Sequence, residues 1–207
     1  MGRDLDPKCR LCRREGIKLF LKGDRCLSPK CPIEKKGAVP PGVHGLRRAR
    51  RQSEFGVQLR EKQKAKRLYG LREKQFVKYF NQARRQPKVT GEVLFQLLES
   101  RLDNVIYRLS LAPSRVTARQ LVSHGHVLVE GKKVKIPSYG VRVGESVELS
   151  SRVGKTGSLK DFLSRKDVKI PEWLERKALT GRIRRLPKRD EIEANINEQA
   201  IVEYYSR

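Results

Sequence analysis

"ESRLDNVIYRLSLAPSRVTARQLVSHGHVLVEGKKVKIPSYGVRVGESV", Glu99 to Val147, is the stretch in which the hydrophobic period changes from helical to extended, and its reading sets the fold. Just upstream, Thr90 opens a helix in which Leu94, Leu98, Leu102, Val105 and Leu109 form one continuous apolar stripe, so this helix packs into a core. "SRVTARQLVSHG" then reads as a short helix with Ser114 as N-cap and Gly125 just past its end. Leu121 and Val122 face inward on it, while Arg115 and Arg119, at i and i+4, share an exposed side. "HVLVEGKKVKI" alternates apolar and polar residues across Glu130-Gly131, the signature of a hairpin, and "VRVGESVELS" repeats the strand–turn–strand cue around Gly144.

Toward the N-terminus the pattern is helical and then irregular. Ser53 caps a helix running to about Tyr69, and a second follows with Phe76, Phe80 and Ala83 on one face and Pro87 beyond its end. Before them, "GAVPPGVHGLRRARR" is a rigid turn and linker leading at once into Arg47, Arg48, Arg50 and Arg51. Four arginines in five positions cannot share one face of a helix, but on an extended segment they can follow a phosphate backbone. His44 reads as a turn residue.

All four cysteines fall in "CRLCRREGIKLFLKGDRCLSPKC": Cys9, Cys12, Cys26 and Cys31. Two close pairs in a reducing compartment match a tetrahedral structural zinc site, one Zn2+ held by four thiolates, with an iron–sulfur cluster as the alternative. Four thiolates close the coordination shell, so the spacing points away from catalysis. A metal worth roughly 10–16 kcal/mol would hold together a segment too short to do so by burial.

The charge narrows the partner. Lys and Arg number 48 against 23 acids, a net +25, and residues 1–51 carry 15 basic and 5 acidic residues while 184–207 carry 5 of each. Such a field attracts polyanions. No apolar run is long enough to cross a membrane and no signal peptide is evident, so we expect a cytoplasmic protein whose partner is nucleic acid. Arg115, Arg119, Lys132 and Lys133, edged by His124 and His126, form a compact basic surface that suits the backbone and shape of folded RNA better than the DNA major groove.

Glu99–Val147 resembles the S-four RNA-binding domain. With "CRLCRREGIKLFLKGDRCLSPKC", "PPGVHG", "RLDN" and the ending "NEQAIVEYYSR", the chain resembles the bacterial small-subunit ribosomal S-four family over its full length, in its zinc-binding form. The resemblance implies an α+β, mostly helical fold: a zinc module at 1–45, a helical domain at 46–97 completed by 165–207, and an inserted RNA-binding domain at 98–164 with a small antiparallel sheet. It implies a ribosome-bound protein that binds 16S ribosomal RNA early, at a junction in its 5′ domain. It also implies contact with ribosomal protein S-five and other small-subunit proteins, a place at the mRNA entry region, and an influence on decoding accuracy.

Two rival functions share the RNA-binding module. A pseudouridine synthase needs a catalytic domain with its own aspartate, and the 57 residues after Ser150 leave no room for one. An mRNA-binding translational repressor differs only in RNA specificity and can coexist with the ribosomal role.

Overall fold

The computed structural model describes residues 6–46, 51–151, 153, 157–165, 170–192 and 196–206. The chain divides into two compact units, Met1–Val93 with Ala194–Arg207, and Leu94–Glu193.

The first unit is helical. Three short helices, α1 (Lys8–Glu15), α2 (Asp24–Leu27) and α3 (Pro32–Lys36), carry the cysteines, and α4 (Glu54–Leu68) and α5 (Glu73–Arg84) follow. Ser53 caps α4 by accepting the Gly56 N–H, as its sequence predicts. The buried face of α4 is Gln58, Lys62, Ala65 and Leu68, two of them polar, so burial is favourable only with partners. The C-terminal helix α10 (Glu198–Ser206) supplies these: Gln58 donates to Glu203 at 3.0 Å, and the Lys62 ammonium sits 4.4 Å from the centre of the Tyr204 ring. Tyr205 packs against Phe80 and Phe76 of α5, with ring centres 4.6 and 6.2 Å away. Its hydroxyl donates to Glu73 at 2.7 Å, and Lys62 and Lys66 reach the same carboxylate at 2.8 and 3.0 Å. Partial burial alone would raise the Glu73 carboxyl, but hydrogen bonds from Lys62, Tyr205 and Lys66 outweigh it and hold the group at about 2.

The second unit packs helices on one face of an antiparallel sheet. The stripe expected to run unbroken from Leu94 to Leu109 is instead shared by α6 (Thr90–Glu99) and α7 (Leu102–Arg108). The break falls at Ser100–Arg101, where Arg101 bridges Gly140 and the Val141 N–H donates to the Ser100 carbonyl at 2.9 Å. N–H groups at the start of α7, which lack intrahelical partners, find the Tyr139 and Pro137 carbonyls at 2.8 and 3.2 Å. The segment before Gly144 is therefore spent on this junction and is not the strand its alternation suggests.

Helix α8 (Arg115–Ser123) is capped by Ser114, and the Glu130-Gly131 turn, with φ of 48° and 73°, joins β1 (Val127–Val129) to β2 (Lys132–Lys133). β3 (Ser146–Leu149), α9 (Gly157–Leu163), β4 (Leu174–Lys177) and β5 (Thr180–Ile183) follow. The strand order is β2-β1-β3-β5-β4, each neighbouring pair antiparallel. This corrects the expectation that residues 165–207 complete the helical domain. β4 and β5 extend the sheet of the second unit, and only the last residues group with the first.

Val127, Val129, Val147, Leu149 and Ile183 turn inward against Val105, Leu109, Ala118 and Val122, and Trp173 closes the same core. Gly181 lies beneath Leu109, where an added Cβ would collide with the leucine side chain. Arg176 donates from its Nη1 to the Leu109 and Ser110 carbonyls at 3.1 and 2.8 Å, satisfying acceptors at the end of α7.

Candidate nucleic-acid interface and cysteine cluster

In the second unit, four of the six expected residues form an open basic corner. α8 ends at His124, which is exposed, and His126 is half-buried at the entry to β1, with ring centres 6.2 Å apart. Lys132 and Lys133 are exposed on β2. Gly125, with φ of 75°, lies under the aliphatic stems of Lys133 and Lys135, so the hairpin lysines are laid over the turn that carries both histidines. Lys135 completes the cluster although it was not singled out above. Its spacing from Lys133, at i and i+2 on an extended segment, was the signal that both share a side.

Arg115 and Arg119 do not form the exposed face expected of them. Arg115 donates from Nε to the Asn104 Oδ1 at 2.8 Å, and its guanidinium lies 4.4 Å from the centre of the Tyr107 ring. Arg119 has its Nη1 3.5 Å from the Asp103 carboxylate, which Arg101 already holds with two hydrogen bonds at 3.0 and 2.7 Å. Beneath them Arg108 grips Glu99 at 2.9 and 2.8 Å, while Asn104 donates to the same carboxylate at 2.6 Å. The i and i+4 spacing correctly placed both arginines on one side of α8, but that side meets the polar end of α7.

In the first unit Arg51 is exposed, and Arg47, Arg48 and Arg50 lie outside the described residues. The charge-rich helix α4 presents few free cations. Arg60 and Arg67 pair with Glu15 of α1, Lys64 pairs with Glu61, and Lys62 and Lys66 share Glu73.

The cysteines come from all three short helices: Cys9 and Cys12 from α1, Cys26 from α2, and Cys31 as the residue before α3. Cys12, Cys26 and Cys31 are buried. The Lys22 N–H donates to the Cys26 sulfur at 3.3 Å, and the Leu19 backbone serves Cys12 in the same way. Burial pushes the Cys12 thiol up, and Cys26, Cys9 and Cys31 add to the rise. Among the described residues, however, no three His, Cys, Asp or Glu side chains are gathered closely enough to hold a metal ion. Thiol chemistry and burial fit a zinc site, and the spacing of the sulfurs does not complete one.

The family described as "Ribosomal protein S4/S9 N-terminal domain" matches residues 3–99, and the S4 domain matches residues 100–147. The chain is 52% identical to the small ribosomal subunit protein uS4A of Symbiobacterium thermophilum, 51% to uS4 of Natranaerobius thermophilus and 49% to uS4 of Thermus thermophilus, each over 100% of both chains. The chain belongs to the uS4 family.

Within this uS4-family chain, the boundary between the two matches falls at the α6–α7 break. His124, His126, Lys132, Lys133 and Lys135 lie inside the S4 domain, and the cysteines and Arg51 lie inside the N-terminal match. β4 and β5, which widen the sheet, lie beyond both. Among the described residues no helix is long and apolar enough to cross a membrane.

Proposed function

We propose that this chain is a structural, non-enzymatic constituent of the small ribosomal subunit that binds 16S ribosomal RNA directly and nucleates assembly of its 5′ domain. The observation that carries the reading is identity of about half to uS4 proteins over the whole of both chains. The open basic corner at His124, His126, Lys132, Lys133 and Lys135 supports it, because cations around a rigid turn suit phosphates held in a fixed arrangement. Arg51, with Arg47, Arg48 and Arg50, is proposed to hold further phosphates. Arg115 and Arg119 act mainly by fixing α8, and through it the corner, with RNA contact a secondary role. Contact with ribosomal protein S-five, a place at the mRNA entry region and an effect on decoding accuracy follow from family membership as further parts of the proposal.

We further propose one structural Zn2+ held by Cys9, Cys12, Cys26 and Cys31. Bound there, zinc would act as a cross-link between α1, α2 and the start of α3. The chain's own contribution is visible in the buried thiols and in the backbone N–H groups of Leu19 and Lys22 that serve the sulfurs.

The test is binding of the full chain to a 5′-domain transcript of 16S ribosomal RNA against an equally long unrelated folded RNA, at low and moderate salt. The proposal expects the ribosomal transcript to win by orders of magnitude and to keep its lead as salt rises. Equal binding to both, lost together in salt, would leave only a generic polyanion trap.

A further inference from the structure

Helix α5 carries basic charge of a different standing from that of α4. Its buried stripe is Phe76, Phe80 and Ala83. At about 100° per residue, Lys74, Lys78 and Arg85 stand about 160–200° round the axis from Phe76, in one row on the opposite side. All three are exposed, as are Arg72 before the helix and Arg84 and Lys88 at its far end. Among the described residues these six side chains make no ion pair or hydrogen bond. The helix has a single acid, Glu73, and its carboxylate is already taken by Lys62, Lys66 and Tyr205. Nothing on the outer row neutralises it.

The residues between the cations narrow the partner. Asn81 and Gln82, both exposed, lie between Lys78 and Arg85. A protein-binding face would be expected to carry a desolvated apolar or aromatic centre with charge at its rim, and this row has no apolar member. Lysine, arginine and side-chain amides are the groups that meet phosphate and sugar oxygens. The row is also straight, with Lys78 about 6 Å along the axis from Lys74 and Arg85 about 10 Å further on. A straight row of cations with amides between them matches the backbone of a double helix, whose shallow RNA groove presents phosphates and 2′-hydroxyls together.

We propose that the outer face of α5, with Lys74, Lys78 and Arg85 as its cations and Asn81 and Gln82 between them, is a docking surface for the backbone of double-helical RNA. The inference rests on the reading of this chain as a ribosomal RNA-binding protein and assigns a surface to it beyond the S4 domain corner.

The experiment compares the full chain with the variant carrying Lys74→Gln, Lys78→Gln and Arg85→Gln, on the 5′-domain transcript between 50 and 200 mM salt. Three phosphate contacts removed should lower the slope of log affinity against log salt by about 2.7, so that the loss of affinity over that range shrinks about 40-fold. A slope equal to that of the wild type overturns the proposal. A charge-preserving variant, Lys74→Arg, Lys78→Arg and Arg85→Lys, should keep the wild-type slope; if it loses the slope as well, charge is not what the surface supplies. A non-ribosomal RNA duplex and a single strand of equal length form a further arm, in which the glutamine variant should weaken on the duplex. Loss confined to the single strand overturns the duplex assignment. The ribosomal reading fails separately, in the wild-type arm, if that protein does not prefer the ribosomal transcript.

Discussion

Replacing Arg108 with methionine tests the claim that the polar network beneath α8 holds the S4 domain in shape. The guanidinium is 4% exposed and the Glu99 carboxylate 1%, and they meet through two hydrogen bonds at 2.9 and 2.8 Å. Methionine fills most of the volume but takes both guanidinium hydrogen bonds from a carboxylate that stays buried, where Asn104 donates to it at 2.6 Å. Removing one member of such a pair costs about 3–5 kcal/mol, much of it the uncompensated charge left behind. For a unit of about 100 residues with a urea slope of about 1–2 kcal/mol per molar, the transition midpoint should fall by about 1.5–5 M. Trp173, the only tryptophan, is 1% exposed in the core of this same unit, so its fluorescence in a urea titration reports the second unit alone. Adding Glu99→Leu to Arg108→Met should recover much of the loss, because an apolar pair removes the stranded charge. A midpoint shift under about 0.5 M for the single variant would refute the reasoning, since it corresponds to less than about 1 kcal/mol.

Three further outcomes follow from the structure. Glu73 is held at about 2, below its ordinary 4.5, so the stability it lends to the docking of α10 is complete above that ordinary value and is lost as pH falls through 2. Because its side chain is 44% exposed, the contribution is discounted to about 1 kcal/mol; the protection factor of the Ile201 amide, with the intrinsic exchange rate at each pH divided out, should fall in acid in the wild type and much less so in Glu73→Gln. Gly181→Ala should destabilise the second unit by about 1–3 kcal/mol, read by Trp173 in urea, and adding Leu109→Val should return part of it; an unchanged midpoint would mean the sheet yields freely beneath α7. Cys26→Ser should abolish zinc content and raise amide exchange across residues 8–36 in protein prepared with zinc, whereas a variant with unchanged metal content would exclude this cysteine as a ligand.

Local chemistry was legible wherever a residue acts on its own backbone neighbourhood. Ser53 and Ser114 cap their helices, and Glu130-Gly131 makes the hairpin turn. What escaped reading depends on contacts far along the chain. The stripe from Leu94 to Leu109 keeps its period through Ser100–Arg101, and only the pairing with Gly140 and Val141 breaks the helix there. β4 and β5 carry little strand signal because Glu175, Arg176 and Lys177 run into a turn at Ala178, with φ of 51° and no glycine to mark it. Arg115 and Arg119 show the limit for the site: a basic pair on one helical face looks alike whether it meets phosphate or, as here, Asn104 and Asp103. The free charge of α5 was equally invisible, since α4 is as rich in lysine and arginine and only the structure tells which of them already have acids.

The central claim, that rigid basic surfaces of this chain grip one particular arrangement of RNA, is tested most directly by hydroxyl-radical footprinting of the 16S 5′-domain transcript with and without the protein at moderate salt. The account predicts a small set of protected backbone positions, drawn from more than one RNA helix, with part of the set lost in Lys132→Gln with Lys133→Gln. Uniform weak protection, or a pattern unmoved by that variant, would contradict it.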